Sequence, residues 1–156
     1  MLEYGDIIVV KSPTIIGKII RWVTQSWASH VCVYIANGWV FEARPGGSKA
    51  IEFSHYQKKG YEIHIYRFIA PDITINNFVK ILLTKKNMAY DYGQVFGLLI
   101  WSLFKINIKA QNHKLAICSE IVFDAANEAG LPLPHISKEL ITPGDYERWP
   151  FLKRIA

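Results

Sequence analysis

Three side chains have the types and setting for covalent chemistry: the thiol of Cys118, the imidazole of His30 and the carboxylate of Glu42. Cys118 stands near the start of "ICSEIVFDAANEAG", where Cys118, Ile121, Val122, Ala125 and Ala129 recur at the spacing of one helical face. A thiol at a helix N-terminus meets unpaired N–H groups and the positive end of the helix dipole, and both favour the thiolate. The same N–H groups can hold the oxyanion formed when sulfur attacks a carbonyl. A free cysteine there also fits as one more small apolar core residue. A thiolate nucleophile needs a base, and His30 is the candidate. Glu42, twelve residues on, can orient and charge-stabilise that imidazole as the third group of a triad does.

The elements that must position these groups start with "SHVCVYIANGWVFEA". It reads as two strands, His30 to Ala36 and Trp39 to Ala43, around the Asn37-Gly38 turn signal. With a strict two-residue loop, Glu42 faces Val33 and lies on the opposite side of the sheet from His30. A one-residue bulge, or a three-residue loop, brings His30 and Glu42 to one face. A triad therefore predicts an irregular hairpin. Cys32 shares the His30 face under simple alternation, as a packed core cysteine or as a second thiol near the site.

"GDIIVV", Gly5 to Val10, reads as a buried strand. "SPTIIGKIIRWVTQ" follows as a helix with Ser12 at the N-cap, Pro13 at the first position and Ile15, Ile16, Ile19, Ile20 and Val23 in one stripe. "RPGG" breaks the second hairpin strand. A short strand "KAIEF" and a longer one over Tyr61 to Ile69, ended by Pro71, come next. Helices are expected with Thr74 or Asn76 as cap and Ile75, Phe78, Val79 and Leu82 on one side, then over Tyr92 to Phe104. The Cys118 helix is the last, stopped by Gly130. Strands first and helices later imply an α+β fold with an antiparallel sheet packed against helices, and no repeat or linker divides residues 1–156. Glu120 falls off the apolar stripe and is expected to face solvent in the first turn. His55, His64, His113 and His135 read as surface or loop residues. The Arg44–Gly47 loop, just past Glu42, is a place for substrate contacts.

The order of these blocks resembles the circularly permuted branch of NlpC-like papain-fold hydrolases, which includes YiiX-like amidases and lecithin–retinol acyltransferase-like enzymes. The "GDII" opening, the "SHVCVYIANGWVFEA" block, "YDYGQVFGLL", "ICSEIVFDAANEAG" and "TPGDY" carry the resemblance, and His30 precedes Cys118 as in that branch. It implies a papain-like sheet and helices, with Cys118 at a helix N-terminus as nucleophile, His30 as base and Glu42 as the orienting residue. Tyr90, Asp91 and Tyr92 match a stretch that recurs in the family. They would shape the cleft mouth, and Asp91 could instead cap the following helix. Cleavage of a cell-wall peptide or other small amide through a thioester is the activity it implies. The same triad on a lipid ester or thioester, as in the acyltransferase-like relatives, is the alternative.

Composition narrows the remaining classes. Half the residues are hydrophobic and a fifth charged, as in globular chains. Eighteen basic against thirteen acidic residues give a net charge of +5, which suits an anionic membrane or cell-wall surface. The basic residues are dispersed, so nucleic acid is not the expected partner, although a binding module of the same fold stays open. Two cysteines argue against a disulfide framework, and neither has zinc-ligand spacing, so neither metal nor cofactor is expected. "MLEYGD" lacks the basic and apolar regions of a secretory signal, and Val95 to Phe104 is too short to span a bilayer. A cytoplasmic protein is expected, reaching any cell-wall substrate by lysis or another export route.

Overall fold

The computed structural model describes residues 1–44, 47–87, 89–90, 115–116, 118–136 and 141–156, without the side chains of 23, 89, 90, 115 and 116. The expected helix over Tyr92–Phe104, together with Asp91 and His113, lies outside the described residues.

An antiparallel six-stranded sheet forms the centre, in the order β4-β3-β2-β1-β5-β8. β1 (Ile7–Lys11) lies between β2 (His30–Ala36) and β5 (Glu62–Phe68); β3 (Trp39–Arg44) and β4 (Gly47–Glu52) complete one side, and β8 (Leu152–Arg154) the other. The unbroken apolar run Ile7–Val10 is fully buried because both sheet faces are covered. Ile7 and Val9 join the core beneath the helices, whereas Ile8 and Val10 join a smaller one with Cys32, Val40, Phe53 and Tyr56. β6 (Ala89–Tyr90) and β7 (Leu115–Ala116) form a separate parallel pair. The fold is α+β, and no helix among the described residues is long and apolar enough to cross a membrane.

α1 spans Ile15–Thr24, and its cap is Thr14 rather than Ser12. Thr14 Oγ1 accepts from Gly17 N–H at 3.1 Å, while Ser12 is held by its own N–H donating to Ser29 Oγ at 2.9 Å. The expected apolar stripe does not face the core, since Ile15 and Ile16 are exposed. α2 runs from Asp72 to Thr84, starting earlier than either Thr74 or Asn76 would cap it. Pro71 supplies the extended entry and Asp72 complements the dipole in the first turn. Phe78, Val79 and Leu82 are fully buried as the periodicity requires.

α3 spans Cys118–Glu128 and ends in a Schellman motif. Gly130, at φ 75°, donates to Asn127 O at 3.0 Å, and Leu131 N–H donates to Ala126 O at 3.0 Å. Its buried surface is wider than one stripe. Glu120 is only 8% exposed, contrary to the solvent-facing position expected of it. The reason is the C-terminal stretch that closes over the first turn: Ser119 Oγ donates to Ile141 O at 2.8 Å, and Tyr146 O–H donates to Ser119 O at 2.6 Å. Tyr146 belongs to a 3-10 turn over Pro143–Arg148, which also reaches the loop before β2, where Trp27 Nε1–H donates to Glu147.

Candidate active site

The β2–β3 hairpin is irregular. Cys32 pairs with Glu42 and Tyr34 with Val40, but Ala36 pairs with Trp39, so one extra residue is taken up between Tyr34 and Ala36. Ala36 at φ 143° and Asn37 at φ 49° accommodate that shift. The consequence is that His30 and Glu42 share a face. His30 Nε2 lies 2.8 Å from Glu42 Oε2, with Glu42 at 1% and His30 at 15% side-chain exposure.

A carboxylate this deeply buried needs more than one partner. Tyr56, in the 3-10 turn Phe53–Gln57, donates its O–H to the same Oε2. Arg44 Nη1 stands 3.1 Å from Oε1. That contact is an ion pair without hydrogen-bond geometry, so charge alone compensates the buried Oε1. Burial by itself would raise the Glu42 carboxyl. The hydrogen bond and charge of His30, then Tyr56 and Arg44, outweigh it and bring the carboxyl down to about 2.

His30 responds in the opposite sense. Burial opposes its protonation, yet the charge and hydrogen-bonding of Cys118, followed by those of Glu42, raise the imidazole to about 10. Cys118 is the first residue of α3 and is buried in the core that α3 shares with Val31, Val33 and Phe41. By alternation His30 belongs with Val10 on the other face. His30 is the first residue of β2 and Cys118 the first of α3.

A cleft of about 450 Å³ opens on the His30–Glu42 pair. Its walls come from α1 (Ile16, Gly17, Ile20), the end of the hairpin (Arg44, Lys49) and the 53–61 segment (His55, Tyr56, Tyr61). Cys118, the first residue of α3, is not among its described lining residues. Arg44, expected to contact substrate, lies on this wall but commits part of its charge to Glu42. The backbone of Tyr90 lies in β6, while Tyr92 is outside the described residues.

Tyr56 was not legible as a site residue, because a tyrosine in "FSHYQ" carries no spacing signal. His55 is a wall residue rather than a loose surface one, 3.2 Å from Tyr61 O–H through Nε2. Burial, together with Glu42 and Cys118, pushes the Cys32 thiol well up, and it packs as a neutral core residue opposite Glu42. His64 is also built in rather than loose: Nδ1 lies 2.7 Å from Glu147 Oε1, and its ring packs on Trp27. Among the described residues no group of three or more His, Cys, Asp or Glu side chains could hold a metal ion.

No family model matches the chain, and no curated protein matches it in sequence. Solved structures do match. One is the metalloprotein YiiX from Escherichia coli O157:H7, with TM-score 0.59, 17% identity, 99% of this chain covered and 96% of that one. The chain therefore has a YiiX-like fold.

Proposed function

We propose that the protein is a cysteine hydrolase of the permuted papain-like type, with Cys118 as nucleophile, His30 as its acid–base partner and Glu42 as the orienting carboxylate. What supports this reading is the built geometry: His30 Nε2 stands 2.8 Å from Oε2 of the buried Glu42, and Cys118 is the first residue of α3. Cys118 gives its thiol proton to His30 as it is activated for attack. The thiolate sulfur attacks the carbonyl carbon, and first-turn N–H groups of α3 receive the oxyanion. His30 then gives its proton to the leaving nitrogen as the C–N bond breaks, leaving a thioester on Cys118. Neutral His30 takes a proton from water, whose oxygen attacks the thioester; the C–S bond breaks, releasing the acid, and His30 returns its proton to the sulfur.

Cell-wall peptides or other small amides are the proposed substrates, with Arg44, Tyr90 and Tyr92 contributing at the cleft mouth. A second reading keeps the same groups but an acyl ester of a lipid as substrate. The apolar wall of Ile16 and Ile20 supports it. Cys118→Ala tests both. It is expected to abolish acyl-enzyme formation, seen by intact mass with amide and ester substrates, while costing only about 1 kcal/mol of stability. Full turnover by that variant would end the cysteine-hydrolase reading.

A further inference from the structure

α1 is the one described helix whose apolar face is turned outward. Ile15 is 76%, Ile16 48% and Trp22 54% exposed, and Ile19 is half-buried between them. Positions 15, 19 and 22 follow one another on a single helical stripe, with 16 beside it. The helix is tied down from the opposite side: Arg21 donates to Ser12 O at 2.6 Å, and Gly17 packs closely on Ser12 and Ser29. Its outward face is therefore a fixed surface rather than a frayed end.

α1 itself carries only basic charge, and the exposed Glu62 near its start is paired with Lys11. No Asp or Glu occurs between Asp6 and Glu42, and Glu42 is buried. Lys18 lies on the flank of the stripe next to Trp22. The turn carrying Lys58 and Lys59 abuts the start of α1, where Gly60 approaches Pro13. Lys18, Lys58 and Lys59 are exposed and make no ion pair with any described residue.

We propose that the exposed face of α1 docks on an anionic bilayer surface. Ile15, Ile16 and Trp22 enter the headgroup–acyl boundary, while Lys18, Lys58 and Lys59 sit at headgroup level. A short amphipathic helix with isoleucines and a tryptophan on one side and lysines at its rim is suited to lie in that interface. A single ten-residue helix face is also small for a stable protein–protein interface, which buries about 800 Å² per partner. Ile16 belongs both to this face and to the cleft wall, so docking brings the cleft mouth to the lipid boundary. The docking claim does not depend on catalysis, although it states where a lipid-borne substrate would be met.

The test is co-sedimentation of the full chain with phosphatidylcholine vesicles, with and without phosphatidylglycerol. Binding is expected on the anionic vesicles and to weaken with added salt. Lys58→Gln with Lys59→Gln should lower the partition coefficient about 25-fold, at about fivefold per lysine. Ile15→Ser with Trp22→Ser should remove binding; these exposed sites leave the fold intact, which near-ultraviolet circular dichroism checks. Absence of binding by the wild type, or binding that the Ile15/Trp22 pair leaves unchanged, would overturn the proposal. So would a wild-type dimer that the same pair dissolves with no vesicle binding, which would assign the face to a second copy. Thiol reactivity of Cys118 is unaffected by any of these results, so failure here is separate from failure of the hydrolase reading.

Discussion

Replacing Glu42 by Gln keeps the size of the side chain and its acceptor oxygen but removes the charge facing His30 and Arg44. The fall of the Glu42 carboxyl from 4.5 to about 2 corresponds to about 3 kcal/mol of preference for the charged form in the folded chain. At 1% exposure there is little solvent to screen that preference. Because the folded pKa is depressed, the stabilisation is present above pH 4.5 and is lost as pH falls toward 2. His30 moves the other way, from 6.5 to about 10, so its share is full below 6.5 and is lost as pH rises toward 10. The difference in unfolding free energy between wild type and Glu42→Gln should therefore peak near pH 5.5, at about 3 kcal/mol, and narrow on both sides. Urea titrations at pH 3, 5.5 and 9, followed by tryptophan fluorescence, measure it. A difference below about 1 kcal/mol at pH 5.5, or one that is flat with pH, would refute the electrostatic account of the pair.

Two further substitutions probe the supports of the site. Tyr56→Phe withdraws the hydroxyl that donates to Glu42 and should cost about 1–3 kcal/mol, with an upward movement of the Glu42 carboxyl seen by NMR titration. An unchanged carboxyl titration would mean Tyr56 contributes packing alone. Gly130→Ala forces a Cβ into the left-handed conformation that ends α3, with open space around it, so strain alone should cost about 1 kcal/mol in urea unfolding. No loss would show that the helix end can relax to another cap.

How much of this was readable beforehand depended on whether a residue's role is local. The buried strand at Ile7–Val10, the core positions of α2 and the stop at Gly130 follow from periodicity and backbone preference, which act over a few residues. The pairing of His30 with Glu42 was readable only conditionally, because the Asn37-Gly38 turn alone puts them on opposite faces; the shift at Ala36 decides the matter. Thr14 displaced Ser12 as cap because the Ser12 backbone is tied to Ser29, a partner distant in sequence, while its hydroxyl is engaged by Thr14. Glu120 is buried because Ile141–Trp149 folds over the start of α3, and nothing within α3 announces that covering. Tyr56 and the outward face of α1 were hidden for the same reason. Periodicity locates an apolar stripe but does not say which side the core is on.

The most direct test of the central claim is alkylation of the folded protein across a pH series, read by intact mass and peptide mapping, for wild type and His30→Ala. One thiol, Cys118, should react rapidly below about pH 8 in the wild type and slow sharply in the variant, while burial keeps Cys32 silent in both. If both cysteines stay inert until the chain unfolds, or if Cys118 reacts equally without His30, there is no histidine-activated nucleophile here.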